Sequence, residues 1–497
     1  MSIKMAMAKS AFWSSAGAIS NQIFAFVVMA IVARLITPAN FGLVSLALIF
    51  LEFSKTVVLG GLPEALVREK TWNDETANAV FWANLGMGLG FTLITAVVGG
   101  LIAVNETGIG IGHVLAILSP GFLIDSSAAV HEAKLKHDFQ FKKLAFRLIV
   151  TNVVAGTVSI AMAFTAPGVW PLIAQRLVSS ALQAAIVWRA SRWTPGAPRG
   201  FAALGPVLSF SLPMMGSRLV GQLAQRGADI IIAAVGGVAA LGIYRVASRG
   251  MTLLTQLTIN PLQTVALSAF SKVKDASAVA RSYVQITRLT SLLTFPMFLG
   301  LAVIAPDFIE ACFGARWRAA APVMSILSLS VGTTALTYFA VPALAAVGAS
   351  RMILRQNVAA LVAVWSCAAV FSHFGVASVA AGQVLSSYLV IPVYLAQMKR
   401  AVGLSFRQAM SGTYPPLVAA GVMAGCLWAL RLFALHQLSP LARMAIVVPL
   451  GVLLYGAIMV LGFRRHLRTV IVDVEPVLPA NLPAPLRRLL SVMTSGQ

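Results

Sequence analysis

The chain has 497 residues, of which 59% are apolar and only 10% carry a formal charge. A soluble protein of this size has roughly a quarter of its residues charged, so the composition excludes a soluble domain or a disordered chain. The 37 Lys and Arg against 15 Asp and Glu give a net charge of +22. These basic residues are spread between apolar segments, which favours membrane topology over nucleic-acid binding.

Apolar runs separated by polar breaks predict about fourteen transmembrane helices, because about 20 apolar residues cross a bilayer. The predicted fold class is therefore an all-α polytopic membrane protein. Very short breaks, such as Phe374-Gly375, leave the count at twelve to fourteen. In chain order the segments are Ser14–Leu35, Phe41–Pro63, Asn78–Val104, Gly112–Val130, Leu144–Ala166, Val169–Trp188, Pro206–Val235, Leu241–Leu267, Tyr283–Ala305, Pro322–Val347, Ile353–Phe374, Val376–Met398, Tyr414–Leu435 and Met444–Phe463.

The distribution of Lys and Arg between the loops predicts the orientation. About 26 of the 37 basic residues lie on the side of the two termini and about 5 on the other side. Both termini are therefore expected in the cytoplasm, with an even number of spans. The first apolar run lacks the features of a cleaved signal peptide and is interpreted as the first span.

A weak internal repeat relates two parts of the chain. Residues 33–43 resemble residues 233–243, and Gln22 matches Gln222 at the same offset of 200 positions. The repeat predicts two pseudo-symmetric six-helix bundles, residues 1–200 and 201–400, a plan that many transporters share. Two additional transmembrane helices at 401–463 and a cytoplasmic tail at 464–497 complete the predicted domain organisation.

Two predicted helices at the start of the second half carry polar faces. Ionisable groups within spans are costly and usually face a bundle interior or a water-filled cavity. The polar residues of the seventh helix lie within about 60° of one another, with Arg226 beside them, and those of the eighth within about 80°. They are Ser211, Arg218, Gln222, Gln225 and Asp229 on the seventh, and Arg245, Arg249, Thr252, Gln256, Asn260 and Gln263 on the eighth.

The functional interpretation of these faces is a hydrated cavity for an anionic, polyhydroxylated substrate. Guanidinium groups match phosphate oxygens, and amides exchange hydrogen bonds with sugars. The alternative is structural: Asp229 pairs with Arg245 or Arg226, and the amides join helices. The predicted substrate-binding residues are Arg218, Gln222, Gln225, Arg226, Arg245, Arg249 and Gln256.

Three acidic residues within spans, Asp229, Asp125 and Glu52, are the candidates for ion coupling. Glu52 lies three positions before Lys55, close enough for the two side chains to pair with each other instead. Asp229 fits a structural counter-ion better than a proton carrier.

No enzymatic or metal motif is recognisable in the sequence. His131-Glu132 is not followed by the second His of a zinc helix, and Cys312, Cys367 and Cys426 lie far apart. We therefore expect no catalytic residues, no cofactor and no metal.

Several stretches resemble the polysaccharide transporter (Wzx-like) branch of the MOP flippase superfamily. In the first half they are residues 33–42, 60–68 and 81–86; in the second half they are residues 241–249, which include Arg245 and Arg249, and residues 313–317. The order and spacing of these motifs, from about residue 8 to residue 356, carry the resemblance.

This resemblance implies a lipopolysaccharide or exopolysaccharide biosynthesis flippase. Such a protein moves undecaprenyl-pyrophosphate-linked oligosaccharide across the bacterial inner membrane by alternating access. The implied partners are the lipid-linked substrate, membrane lipids, and a polysaccharide polymerase and co-polymerase, with no nucleic acid. Two alternatives stay open: a cation-coupled multidrug exporter of the same superfamily, whose cavity should favour acidic residues, and an O-antigen polymerase or ligase, which should carry a large periplasmic loop.

Overall fold

The structure, a computed structural model, describes residues 21–198, 204–271 and 275–474. All regular structure in these ranges is helical, so the chain is an all-α polytopic membrane protein, as predicted. The chain divides into two compact units, Met1–Val246 (unit 1) and Ala247–Gln497 (unit 2). The partition into bundles at residues 200 and 400 stays a prediction.

Unit 1 contains the first eight helices and the beginning of a long ninth one. They are α1 (Asn21–Leu35), α2 (Pro38–Leu59), α3 (Leu62–Arg68), α4 (Asp74–Ala103), α5 (Ile111–Leu118), α6 (Pro120–His137), α7 (Phe141–Thr165), α8 (Trp170–Ser191) and α9 (Leu204–Ser271). A break at Gly237, with φ 77° and ψ 178°, divides α9 into two helical parts. Only glycine adopts this backbone conformation readily.

Unit 2 contains the end of α9 and ten further helices, with a short 3₁₀ turn at Ala315–Trp317. The helices are α10 (Ala276–Phe313), α11 (Ala320–Ser328), α12 (Val331–Thr337), α13 (Ala340–Ala346), α14 (Ser350–Ser372), α15 (Val376–Val402), α16 (Phe406–Ser411), α17 (Tyr414–Phe433), α18 (Pro440–Gly462) and α19 (Arg464–Val474).

Each predicted apolar segment is mainly helical where the structure describes it, although turns at residues 329–330 and 338–339 divide Pro322–Val347; the first seven residues of Ser14–Leu35 lie outside the described residues. Ten helices of the described ranges are long and apolar enough to cross a bilayer, or eleven if the bent segment Ala320–Ala346 counts as one span. The predicted number of fourteen is not confirmed. The count is lower than fourteen for three reasons. Both predicted spans at 206–267 fall within the single helix α9. In addition, α1 is short, and α8 is less apolar because it carries Gln175, Arg176 and Gln183.

Local sequence signals set several helix boundaries. Thr37 caps α2 by accepting a hydrogen bond from the Asn40 backbone N–H, and Pro38 occupies its first turn. At its other end, Gly60 and Gly61 both have positive φ, 54° and 75°, which turns the chain sharply into α3. This turn places α3 directly after the end of α2.

Each unit has its own apolar core. In unit 1, one cluster includes Val44, Val114 and Leu118, and another includes Leu62, Val80 and Phe81. In unit 2, Tyr283, Phe339, Met398 and further residues join α10, α13 and α15. Large apolar side chains also remain exposed on helices that cross the membrane, where lipid contacts them; on α4 they include Leu93, Ile94, Val97 and Leu101.

Candidate functional site

The polar face predicted on the first part of α9 lies against α2. Thr56 donates a hydrogen bond from its Oγ1 to Oε1 of Gln222 at 3.1 Å. One turn further along α9, Arg226 Nη2 lies 2.9 Å from Glu52 Oε2. As the residue number rises on α9 it falls on α2, so the two segments run antiparallel. The predicted polar seam is therefore a contact between two helices of unit 1.

Four charged side chains form a continuous chain at this contact. Arg226 reaches Glu52 with one nitrogen and Asp229 with the other, at 2.9 and 3.4 Å. Asp229 is also 3.6 Å from Arg245, and its residue is only 4% exposed. A buried carboxylate between two guanidinium groups avoids the cost of an unpaired charge in the membrane interior. The expected pairing of Asp229 with Arg226 or Arg245 is confirmed, and it involves both arginines.

Arg218 pairs with an acidic residue that the sequence analysis did not single out. Its Nη1 lies 2.8 Å from Oε1 of Glu64, on the short helix α3, and both side chains are about 40% exposed. The second carboxylate oxygen of Glu64 is buried without a hydrogen bond. The Gly60-Gly61 turn positions Glu64 here, and a Pro-Glu pair directly after that turn was the available sequence signal.

A second charged cluster joins α2 to two further helices of unit 1, α6 and α8. Asp125 on α6 lies 2.9 Å from Lys55 Nζ and 3.0 Å from Arg176 Nη2. The expectation that Glu52 and Lys55 pair with each other is therefore wrong, because the two side chains contact different partners. Two cations already neutralise Asp125 in this conformation.

The predicted substrate-binding residues of unit 2, Arg249 and Gln256, have a different environment. Arg249 and Gln256 lie seven positions apart on α9, which places them on one face, about 20° apart. Arg249 Nε and Gln256 Oε1 are both buried and have no hydrogen-bond partner among the described residues. Further along, Asn260 Oδ1 accepts a hydrogen bond from the Tyr338 hydroxyl at 2.6 Å. Buried polar atoms normally have partners, so this pair stands out as a place where a ligand can supply them.

The structure thus distributes the seven predicted substrate-binding residues into three groups. Arg218, Gln222, Arg226 and Arg245 contact side chains of unit 1, and Arg249 and Gln256 keep unsatisfied atoms in unit 2. Gln225 is exposed. Among the described residues, no group of three or more His, Cys, Asp or Glu side chains could hold a metal ion.

An apolar cavity of about 520 Å³ lies in unit 2 between α9, α10, α17 and α18. Its lining includes Leu254, Leu292, Met297, Phe308, Met423 and Val452. It was not foreseen from the sequence, because apolar residues that line a cavity show the same pattern as residues that pack a core.

Comparison with known proteins identifies the family. Residues 31–322, more than half of the chain, match the family described as "Polysaccharide biosynthesis protein". The chain belongs to this polysaccharide biosynthesis family. The resemblance predicted from residues 33–42 and the later motifs is thereby confirmed.

Two curated relatives of this polysaccharide biosynthesis protein carry informative names. The succinoglycan biosynthesis transport protein ExoT of Rhizobium meliloti is 28% identical over 65% of this chain and 66% of its own length. The lipopolysaccharide biosynthesis protein WzxC of Escherichia coli is 23% identical over 66% of this chain and 67% of its own length. The chain therefore matches about two thirds of the length of these relatives.

Among solved structures, the lipid II flippase MurJ in an inward closed conformation has the same fold as this chain. The TM-score is 0.75 at 14% sequence identity, and the match covers 91% of this chain and 99% of the MurJ chain. At this identity the similarity concerns the fold, and function has to be argued from the site.

Proposed function

We propose that this chain is a flippase for lipid-linked oligosaccharides. It moves undecaprenyl-pyrophosphate-linked repeat units from the cytoplasmic to the outer leaflet of the bacterial inner membrane, for exopolysaccharide, capsule or lipopolysaccharide assembly. The proposal is supported by the family and by its relatives, which are named as transport and lipopolysaccharide biosynthesis proteins. The observation that carries it is that α9, within the apolar part of the chain, contains four arginines: Arg218 and Arg226 before the Gly237 break, and Arg245 and Arg249 after it.

Arginine suits a pyrophosphate because its planar guanidinium group donates two parallel hydrogen bonds to phosphate oxygens. In the structure, each of the three arginines Arg218, Arg226 and Arg245 pairs with a carboxylate. Arg218 pairs with Glu64, and both of these side chains are half-exposed. A phosphate can displace Glu64 from Arg218 because both side chains are partly exposed, so water can hydrate the oxygen of Glu64 that is released. In this proposal, substrate binding exchanges one anion for another.

The other two parts of the substrate match different residues. The amides of Gln222, Gln225 and Gln256 are suitable donors and acceptors for sugar hydroxyls, and Gln256 Oε1 has no partner. The apolar cavity of unit 2 suits a polyprenyl chain, since its lining is formed by Leu, Met, Val and Phe side chains.

Asp229, Asp125 and Glu52 are the proposed sites of ion coupling. Each of these carboxylates pairs with at least one basic side chain, so protonation would release that basic group. Protonation of Glu52 would free Nη2 of Arg226 for phosphate, while Nη1 stays beside Asp229. We propose that such exchanges accompany alternating access.

The proposed location is the inner membrane, with many spans and both termini in the cytoplasm. A polysaccharide polymerase and a co-polymerase are the proposed downstream partners. No covalent chemistry, cofactor or metal enters the proposed transport cycle.

The test is replacement of Arg218 and Arg249 together with Ala in a strain whose only copy is the variant. We expect surface polysaccharide to fall at least tenfold, with lipid-linked repeat units accumulating on the cytoplasmic side. The matched control is Arg316→Ala with Arg318→Ala, which removes two arginines from the end of α10. Normal export by the first variant at normal protein levels would overturn the assignment, and altered sensitivity to cationic drugs instead would favour the multidrug exporter.

A further inference from the structure

A strongly basic surface covers one end of unit 2. Its eight basic side chains are all exposed and come from four parts of the sequence. They are Arg281 on α10, Arg351 and Arg355 on α14, Lys399, Arg400 and Arg407 on α15 and α16, and Arg464 and Arg465 on α19. We refer to these eight residues as the basic end.

Packing of the apolar core brings these residues to the same end. One core cluster of unit 2 contains Leu404, and Ala280, Met352 and Ala401 pack against it. In the sequence, each of these four residues lies within a few positions of a member of the basic end. The beginning of α10, the beginning of α14 and the end of α15 therefore meet there. Gly412, directly after α16, lies close to Arg288 on α10, so α16 also lies at this end of unit 2.

The helix α19 joins the basic end through a partly buried ion pair. Asp473 Oδ2 lies 2.8 Å from Arg288 Nη1, and Gln285 donates a hydrogen bond to Asp473 Oδ1 at 3.0 Å. These contacts fasten α19 to α10. They also engage Asp473, so that this carboxylate does not neutralise Arg464 or Arg465.

The sequence of α19 is amphipathic. At 100° per residue, Leu467, Val470 and Ile471 lie on one face, and Val470 is only 5% exposed. Arg465 lies on the opposite face, and Arg464 lies at the edge of the apolar face, about 20° from Ile471; both arginines are exposed. Short helices of this kind, with an apolar face and an arginine face, lie in the interface of a membrane.

The membrane interface is where the chain places the basic end. Arg464 is separated from the last residue of the span α18 by Phe463 alone, and Lys399 and Arg400 form the last turn of the span α15. Lipid phosphates lie at this level. Phe406 is 63% exposed beside Arg407, and exposed aromatic rings of this kind insert between headgroups.

We propose that the basic end of unit 2 is a binding surface for anionic phospholipid headgroups. Two acidic side chains of the described residues lie in the same region: Asp473 pairs with Arg288, and Asp275, which accepts a hydrogen bond from Ser277, offsets at most one of the eight positive charges, that of Arg281. The eight basic groups therefore present a positive surface to the phosphates of phosphatidylglycerol or cardiolipin. This site is separate from the arginines of the proposed transport path.

The test uses the purified full-length chain in nanodiscs of phosphatidylcholine with added phosphatidylglycerol. Native mass spectrometry measures which lipids stay bound. Each basic residue near an anionic surface is worth about fivefold in affinity, so Arg464→Gln with Arg465→Gln should weaken phosphatidylglycerol binding at least tenfold. Arg400→Gln with Arg407→Gln should have the same effect, and high salt should reduce binding by the native chain.

Two controls make the outcome decisive. Arg316→Gln with Arg318→Gln removes two charges at the opposite end of α10 and should change binding less than twofold. Arg464→Lys with Arg465→Lys keeps the charge and should retain binding. Equal binding of phosphatidylcholine and phosphatidylglycerol, or undiminished binding by both double Gln variants, would overturn the proposal. None of these readouts depends on oligosaccharide transport.

Discussion

Gly42 and Gly242 lie against each other in unit 1, two hundred positions apart in the sequence. A Cβ atom on Gly42 would lie 1.7 Å from the carbonyl oxygen of Val238, and a Cβ on Gly242 would lie 2.1 Å from that of Pro38. The contact is reciprocal, because Pro38 and Val238 are also separated by two hundred positions. A two-fold axis between the two repeats of residues 33–43 and 233–243 would produce this geometry.

This close contact predicts that a single methyl group added at either glycine will strongly destabilise the fold. Gly42→Ala or Gly242→Ala should destabilise the fold by roughly 1–3 kcal/mol or more, because the obstacle is backbone and cannot rotate away. Thermal unfolding in detergent, followed by size-exclusion chromatography, measures the loss. Gly221→Ala on α9, where no atom lies within 4 Å of the added carbon, is the matched control and should be neutral or stabilising. Equal behaviour of Gly42→Ala and Gly221→Ala would contradict the contact.

A buried carboxylate joins three helices of unit 2. Asp307 is 1% exposed and lies 2.8 Å from both Arg431 Nε and Arg443 Nη2. Asp307→Asn removes the negative charge and leaves two arginines without it, so we expect destabilisation of about 3–5 kcal/mol. Glu310→Gln breaks an exposed pair with Arg318 and should cost less than about 1 kcal/mol. Denaturant unfolding of the two variants tests the difference; similar losses would disprove the assigned role of Asp307.

The pair of Glu64 and Arg218 separates a structural role from a substrate role. Exchange of the two side chains, in the double variant Glu64→Arg with Arg218→Glu, preserves the ion pair. It should therefore unfold within about 1 kcal/mol of the native chain. Export should nevertheless be at least tenfold lower than export by the native chain, because α9 then presents a carboxylate to the phosphate. Recovery of export in the exchanged variant would show that Arg218 acts only through its pairing with Glu64.

His466 on α19 makes the docking of this helix dependent on pH. Burial, followed by the nearby charge of Arg288, lowers the pKa of His466 to about 4 from its usual 6.5. The unfolded state therefore binds more protons between these pH values, so stability is complete above about pH 6.5 and falls as the pH decreases towards 4. Hydrogen exchange of α19 should accelerate over this range. His466→Gln should remove the pH dependence and His373→Gln should retain it; an unchanged profile in His466→Gln would exclude His466 as the cause.

Hydropathy predicted the positions of the helices because each span forms a continuous apolar run with polar ends in the sequence. It did not predict how runs combine. The break at Gly237 leaves two predicted spans within one helix, and the bend after Ser328 divides another. Such breaks depend on the backbone conformation of single residues, which an average over a window of residues hides.

The candidate site was predictable to the level of single helix faces. The periodic spacing placed Arg218, Gln222 and Arg226 on one face, and that face is polar in the structure. The partners of these residues were not predictable, because Glu52 and Glu64 are more than 150 positions away and their distance depends on tertiary packing. Spacing along the chain also suggested a pair between Glu52 and Lys55, but contacts with Arg226 and Asp125 replace it.

The chain of Glu52, Arg226, Asp229 and Arg245 contains two negative and two positive groups, so its formal charges cancel. A transmembrane voltage acts on net charge, at about 2.3 kcal/mol per elementary charge per 100 mV. This cluster consequently feels almost no electrical force when the helices around it move. Voltage dependence of the cycle must then come from other charges: Arg249, the net positive cluster of Lys55, Asp125 and Arg176, the cargo, and any ions that travel with it.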